Sequence, residues 1–86
     1  MTEEEVEILE QLRSIKIQAR EIKSRLATIC SEWKQWINDP GGSQIPEEAK
    51  SQLRLLEELR VQWKRLEQDY KEARHRRMLA LGHEDL

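Results

Sequence analysis

From Ile8 to Ala80, apolar residues return every three or four positions along two long runs, separated only by a stretch around Asp39-Pro40-Gly41-Gly42. In the first run Ile8, Leu12, Ile15, Ala19, Ile22, Leu26, Ile29, Trp33 and Trp36 form one seam. With Leu12 at heptad position a, every d position from Ile8 to Ile29 is isoleucine, and Trp36 is the last d. The second run repeats the spacing through Ala49, Gln52, Leu56, Leu59, Trp63, Leu66, Tyr70, Ala73, Arg77 and Ala80. An average step of 3.5 residues keeps one stripe of a helix facing a partner helix, so both runs read as long amphipathic helices.

Local signals set the ends. Thr2-x-x-Glu5 is a capping box, followed by an uninterrupted helix expected over about residues 3–37. Pro40 removes a backbone donor and pushes Asp39 out of helical geometry, and Gly41 and Gly42 let the chain reverse. The turn is expected over about residues 38–45. Pro46 suits the first position of a second helix, expected over about 46–81, with Glu47 and Glu48 in its first turn. Arg74, Arg76 and Arg77 stand near its end, where the helix dipole favours positive charge, and Gly82 can cap it. Residues 82–86 read as a frayed tail. Trp33 and Trp36 are expected to close the bundle end over Ala49, with Ile45 and Pro46 nearby. A second use of this tip, as a contact reaching into a partner's groove, is also open.

In an antiparallel pair an a residue faces a d residue, so facing positions add to a constant. A constant of 85 serves the whole length, from Trp36 opposite Ala49 to Ile8 opposite Arg77. Large residues then repeatedly face small ones, which interdigitation favours. The same register brings Lys16 near Glu67. The expected fold is all-α: an antiparallel two-helix coiled-coil hairpin, completed to a four-helix bundle by dimerisation.

The remaining composition excludes more than it identifies. At 86 residues the chain is one small domain, with 37% apolar residues, 37% charged residues and no Phe. Cys30 is the lone cysteine, which rules out an internal disulfide and points to a reducing cytoplasm. No apolar run is long enough for a membrane span, and the acidic start is unlike a signal peptide. The closing His83-Glu84-Asp85-Leu86 has the wrong order for an ER-retention signal. His75 falls on the outer face, His83 lies in the tail and Cys30 stands far from both, so no zinc spacing or thiol-activating partner is expected. Gly41-Gly42 follows no strand and lacks the Lys-Ser/Thr of a phosphate loop. The chain is read as non-enzymatic, with no cofactor and no metal. Trp36-Ile37-Asn38 resembles the Trp-x-Gly turn of the small exported WXG hairpins. Asn38 stands where that family has Gly, and Arg74 where it has an acid after Tyr70, so the resemblance stops at one tryptophan and a shape.

Sorting charges by flank is more informative. The side formed by e and b positions carries Arg13, Lys16, Arg20, Lys23, Lys34, Lys50, Arg60, Lys64, Lys71 and Arg74 against only Glu57 and Glu67. The opposite side carries Glu4, Glu7, Glu21, Glu32, Glu48, Glu58, Asp69 and Glu72 against Arg25, Arg65 and Arg76. The net charge of −2 therefore hides a basic flank and an acidic flank. Apolar residues outside the seam lie on the basic side: Val6, Leu9, Met78 and Leu81 at the open end, and Cys30, Ile37 and Leu53 near the tip. These are the candidate interface residues. The expected function is a non-catalytic structural or adaptor module that associates with another protein, itself or a second helical chain. The alternative is polyanion or nucleic-acid binding along the basic flank, which the acidic flank and the absence of a nucleic-acid motif disfavour.

Overall fold

The computed structural model of the chain describes residues 2–38 and 44–82. It contains α1 (Glu3–Ile29), α2 (Lys34–Asn38) and α3 (Glu47–Ala80), and no strand occurs among the described residues. Helices α1 and α3 pack side by side as an antiparallel hairpin. The described residues extend over 56 × 22 × 16 Å, a length set by the 34 residues of α3 at about 1.5 Å per residue. Pro40, Gly41, Gly42, His83 and the rest of the tail lie outside the described residues.

Each end has a local cause. The Thr2 hydroxyl accepts the Glu5 backbone N–H at 3.2 Å, and the Glu5 carboxylate accepts the Thr2 N–H at 3.4 Å, which makes the capping box reciprocal. Helix α3 begins at Glu47 with Pro46 as its N-cap, one residue later than the spacing suggests. At its other end the Leu81 N–H reaches the Arg77 carbonyl, and Gly82 adopts the left-handed conformation (φ +79°) that a residue with a Cβ rarely takes.

The expectation of one continuous helix over 3–37 is corrected at Cys30. That residue is extended (φ −156°, ψ 124°) and ends α1. The next turn tightens, with N–H donors of Trp33, Gln35 and Trp36 each reaching a carbonyl three residues back. No Gly or Pro marks the break. Thr28, Ile29, Cys30 and Ser31 are instead four consecutive weak helix formers. The Thr28 hydroxyl also donates to the Ser24 carbonyl at 3.0 Å, a bond that tends to bend helices. The interruption leaves the seam intact, because Trp33 and Trp36 are both buried.

Two apolar clusters fill the space between α1 and α3. The longer runs from Ile15 through Ile22 and Leu26 to Trp33 and Trp36, against Ala49 and Leu59. The shorter joins Ile8 and Leu12 to Ala73. Trp63 and Leu66 touch both and make them continuous. The expected constant of 85 is corrected: Glu4 pairs with Arg76 and Glu5 with Arg77, positions that add to 80 and 82. Likewise α1 residues 15–23 share one groove with α3 residues 53–63 rather than with 62–70. The seam tolerates the shift because its apolar residues recur every three or four positions. Leu26 is fully enclosed, whereas Leu56, Trp63, Leu66 and Tyr70 on α3 are only half-buried. Seam position Ala80 is exposed.

The open end is tied by charge. Arg76 Nη2 lies 2.7 Å from Glu4 Oε1, an exposed pair. Beside it Arg77 Nε donates to Glu5 Oε1 at 2.7 Å, with the Glu5 side chain fully enclosed. Oxygen Oε1 also accepts from the Thr2 hydroxyl, while Oε2 is buried with no hydrogen-bond partner among the described residues. Burial favours the neutral acid, but the Thr2 donors and the Arg77 guanidinium outweigh it and hold the Glu5 carboxyl below the ordinary carboxylate range.

Two measurements check this account. Leu26→Ala should cost about 2–5 kcal/mol in urea unfolding followed by circular dichroism, through lost burial and a residual cavity. Ile17→Ala, at a position half exposed on the outer face, should change stability by about 0.5 kcal/mol or less. Because the Glu5 pKa is lowered in the folded state, its contribution is present above its unfolded value, about pH 4.3, and is lost as pH falls through the folded value. Thermal melts between pH 7 and pH 2 should therefore show wild type more stable than Glu5→Gln at neutral pH, with the two converging at the acid end. Glutamine keeps the capping geometry, so the comparison isolates the charge.

Candidate functional site

Two helices share one line of contact, and the sides of that line are left open unless outlying side chains cover them. On the basic flank they do not. A groove of about 1040 Å³ runs between α1 and α3 from Ile37 and Ile45 near the tip to Ile15 and Trp63 near mid-length. Ala19, Trp36, Leu53, Leu56 and Leu59 complete its apolar lining, and Lys16, Lys23, Glu57 and Arg60 form its rim. Its position follows from residue size. Ala19 is the one small seam residue of α1, and α1 places lysines rather than apolar residues at the adjoining e positions, 16 and 23. The Trp63 ring and the Leu56 side chain therefore keep one side exposed.

The acidic flank is different. Its concavity, about 290 Å³, is bordered by Gln18, Glu21, Arg25, Glu58 and Gln62, with Ile22, Leu55 and Leu59 as its apolar part. Of these two concavities, the one on the basic side has the extended apolar floor.

The rim charges are unevenly satisfied. Arg60 meets Glu57 through two parallel bonds, Nη2 to Oε1 at 2.6 Å and Nε to Oε2 at 2.9 Å. That bidentate contact, with Lys64 adding to the local field, holds the Glu57 carboxyl below its ordinary range and raises Arg60. Lys50 pairs with Glu47 at 3.3 Å. The other eight basic residues of the flank, Arg13, Lys16, Arg20, Lys23, Lys34, Lys64, Lys71 and Arg74, are exposed and make no ion pair among the described residues. The Lys16–Glu67 pair expected from the register is not formed.

Of the candidate interface residues, the groove brings together Ile37, 54% exposed, and the half-buried Leu53. Cys30 is half-buried against the main core and does not line the groove. Leu9 packs on the smaller cluster and Met78 is half-buried, while Val6 and Leu81 are exposed at 41% and 63%. Periodicity assigned Ile15, Ala19, Leu56 and Trp63 wholly to the seam, yet they also form the groove floor. The signal that could have found them was the lysine pair at e positions 16 and 23 beside the small Ala19.

His75 is exposed, and no group of three or more His, Cys, Asp or Glu side chains that could hold a metal ion occurs among the described residues. No described helix is long and apolar enough to cross a membrane. The chain matches no protein-family model, no curated protein and no solved structure.

Proposed function

We infer that the hairpin is a non-catalytic module for protein–protein association, which completes a one-sided core by docking further helix. The supporting observation is the apolar groove on the basic flank, where seam residues remain uncovered. Burying one Leu or Ile side chain contributes about 1.5–3 kcal/mol, whereas an exposed ion pair contributes about 0–1 kcal/mol. Apolar area therefore governs whether a partner stays, and charge governs how it sits. The covering helices come from a second copy, closing a four-helix bundle, or from another helical protein. The free half-buried thiol of Cys30 supports a reducing location, the cytoplasm.

A second reading is favoured by the eight basic residues that make no ion pair among the described residues: binding of a polyanion along the flank. It uses the rim and leaves the groove floor in water.

Panning displayed helical peptides against the chain separates the two. Selected peptides should lose binding to Ile37→Asp and Leu53→Asp by about tenfold or more, while both variants keep the wild-type helical signal. Heparin retention that falls steeply with salt, with no helical peptide selected, would support the polyanion reading instead. Light scattering at physiological and at high salt identifies the covering chain, since a dimer held by apolar burial persists when charge is screened.

A further inference from the structure

The groove's dimensions and the state of its rim charges describe a partner more narrowly than association alone. Resting on the association reading, we propose that this groove receives an acidic amphipathic helix of about three turns from another protein. The length comes from the floor. Between Leu53 and Trp63, α3 lays ten residues along the groove, about 15 Å at 1.5 Å per residue. A helix resting in such a groove anchors through apolar residues at i, i+3 or i+4, and i+7.

The charge comes from the rim, whose two edges are not equivalent. On α3, Arg60 is held in bidentate contact by Glu57, so these two rim charges offset each other. On α1, Lys16 and Lys23 are exposed and unpaired among the described residues. They stand two turns apart, about 10 Å along the helix. The incoming helix therefore carries its acids along the edge that faces α1, at a matching two-turn spacing. A second copy fits this groove less well. Groove-to-groove contact would bring together two flanks that each carry ten basic and two acidic residues, and like-charge juxtaposition is how interfaces reject a wrong partner. A polyanion would satisfy the lysines and leave the indole and leucine floor in water.

The test uses the full chain and a synthetic helix of about four turns, with leucines at the anchor spacing and glutamates along one edge. Two comparison peptides accompany it: a twin with lysine for each glutamate, and an acidic peptide of the same composition with its leucine order scrambled. Binding is read from tryptophan emission, since Trp36 and Trp63 line the groove. The ordered acidic helix should bind about tenfold or more tighter than either comparison peptide. Lys16→Glu combined with Lys23→Glu should invert the preference between the acidic and lysine helices. Arg54→Glu combined with Arg65→Glu makes the same change in net charge away from the groove and should leave the preference in place. Circular dichroism confirms that both double variants remain helical. Equal binding of the acidic and lysine helices would overturn the charge assignment and leave the association reading standing. Equal binding of the ordered and scrambled acidic peptides would overturn both, in favour of a polyanion. A dimer in light scattering that excludes the peptide would overturn the proposal in favour of a second copy. Binding by none of the three would overturn it outright, and the panning experiment would then decide the association reading alone.

Discussion

The structure depends on a single line of helix–helix contact. In a larger domain a helix is flanked by several neighbours, so its apolar stripe can be wide and still be covered. Here, among the described residues, the one extensive helix–helix contact is that of α1 with α3. Some seam residues, such as Leu26 and Ala49, are fully enclosed, while other large seam residues, such as Trp63 and Leu56, are only half-buried. Exposure of the groove is thus a geometric consequence of pairing two helices whose apolar stripes are wider than their contact.

The ends of that contact are fixed by different physics. At the tip, the break after Ile29 gives up regular helical hydrogen bonds, and the tightened turn keeps both Trp33 and Trp36 against Ala49. At the open end, where Ile8 and Leu12 are the last large core residues of α1, an enclosed Glu5–Arg77 contact takes over. A buried polar pair is a weak source of net stability, because desolvation opposes the attraction. Its stronger effect is on alternatives. Sliding α3 by a heptad would leave the enclosed Glu5 carboxylate without its guanidinium, so the pair disfavours slipped registers even where the apolar seam tolerates them.

The seam was largely legible in the sequence, because burial in a two-helix structure has one strong period and 3.5-residue spacing reports it directly. The facing of individual residues was not legible. A constant of 85 misplaces α3 along α1 by one helical turn or more, because a seam whose apolar residues recur every three or four positions is satisfied nearly as well when shifted. Features that break the period were harder to read. Cys30 interrupts the helix without Gly or Pro, through four weak helix formers whose separate preferences are small and which tertiary packing was free to override. Glu5 was legible as a cap residue, but its second role was not, because the expected register set Arg77 opposite Ile8 rather than beside Glu5. The expected Lys16–Glu67 pair did not form; in the register the helices adopt, Lys16 borders the groove with Glu57 and Arg60.

Charge segregation acquires meaning only together with the groove. A basic flank over a wholly polar surface would be a solvated face, screened over about 8 Å at physiological ionic strength and indifferent to the shape of what approaches. Here Lys16 and Lys23, unpaired among the described residues, border an apolar floor, and any helix that fills it displaces water from around them. Losing that water strengthens attraction to a facing acid and equally strengthens repulsion from a facing base. The groove therefore amplifies the discrimination its rim provides. On the opposite flank the acids border a concavity of about 290 Å³ lined mainly by polar side chains, so the same mechanism has little to act on. The asymmetry between the two sides, rather than the net charge of −2, is what supports the proposed face and the proposed kind of partner.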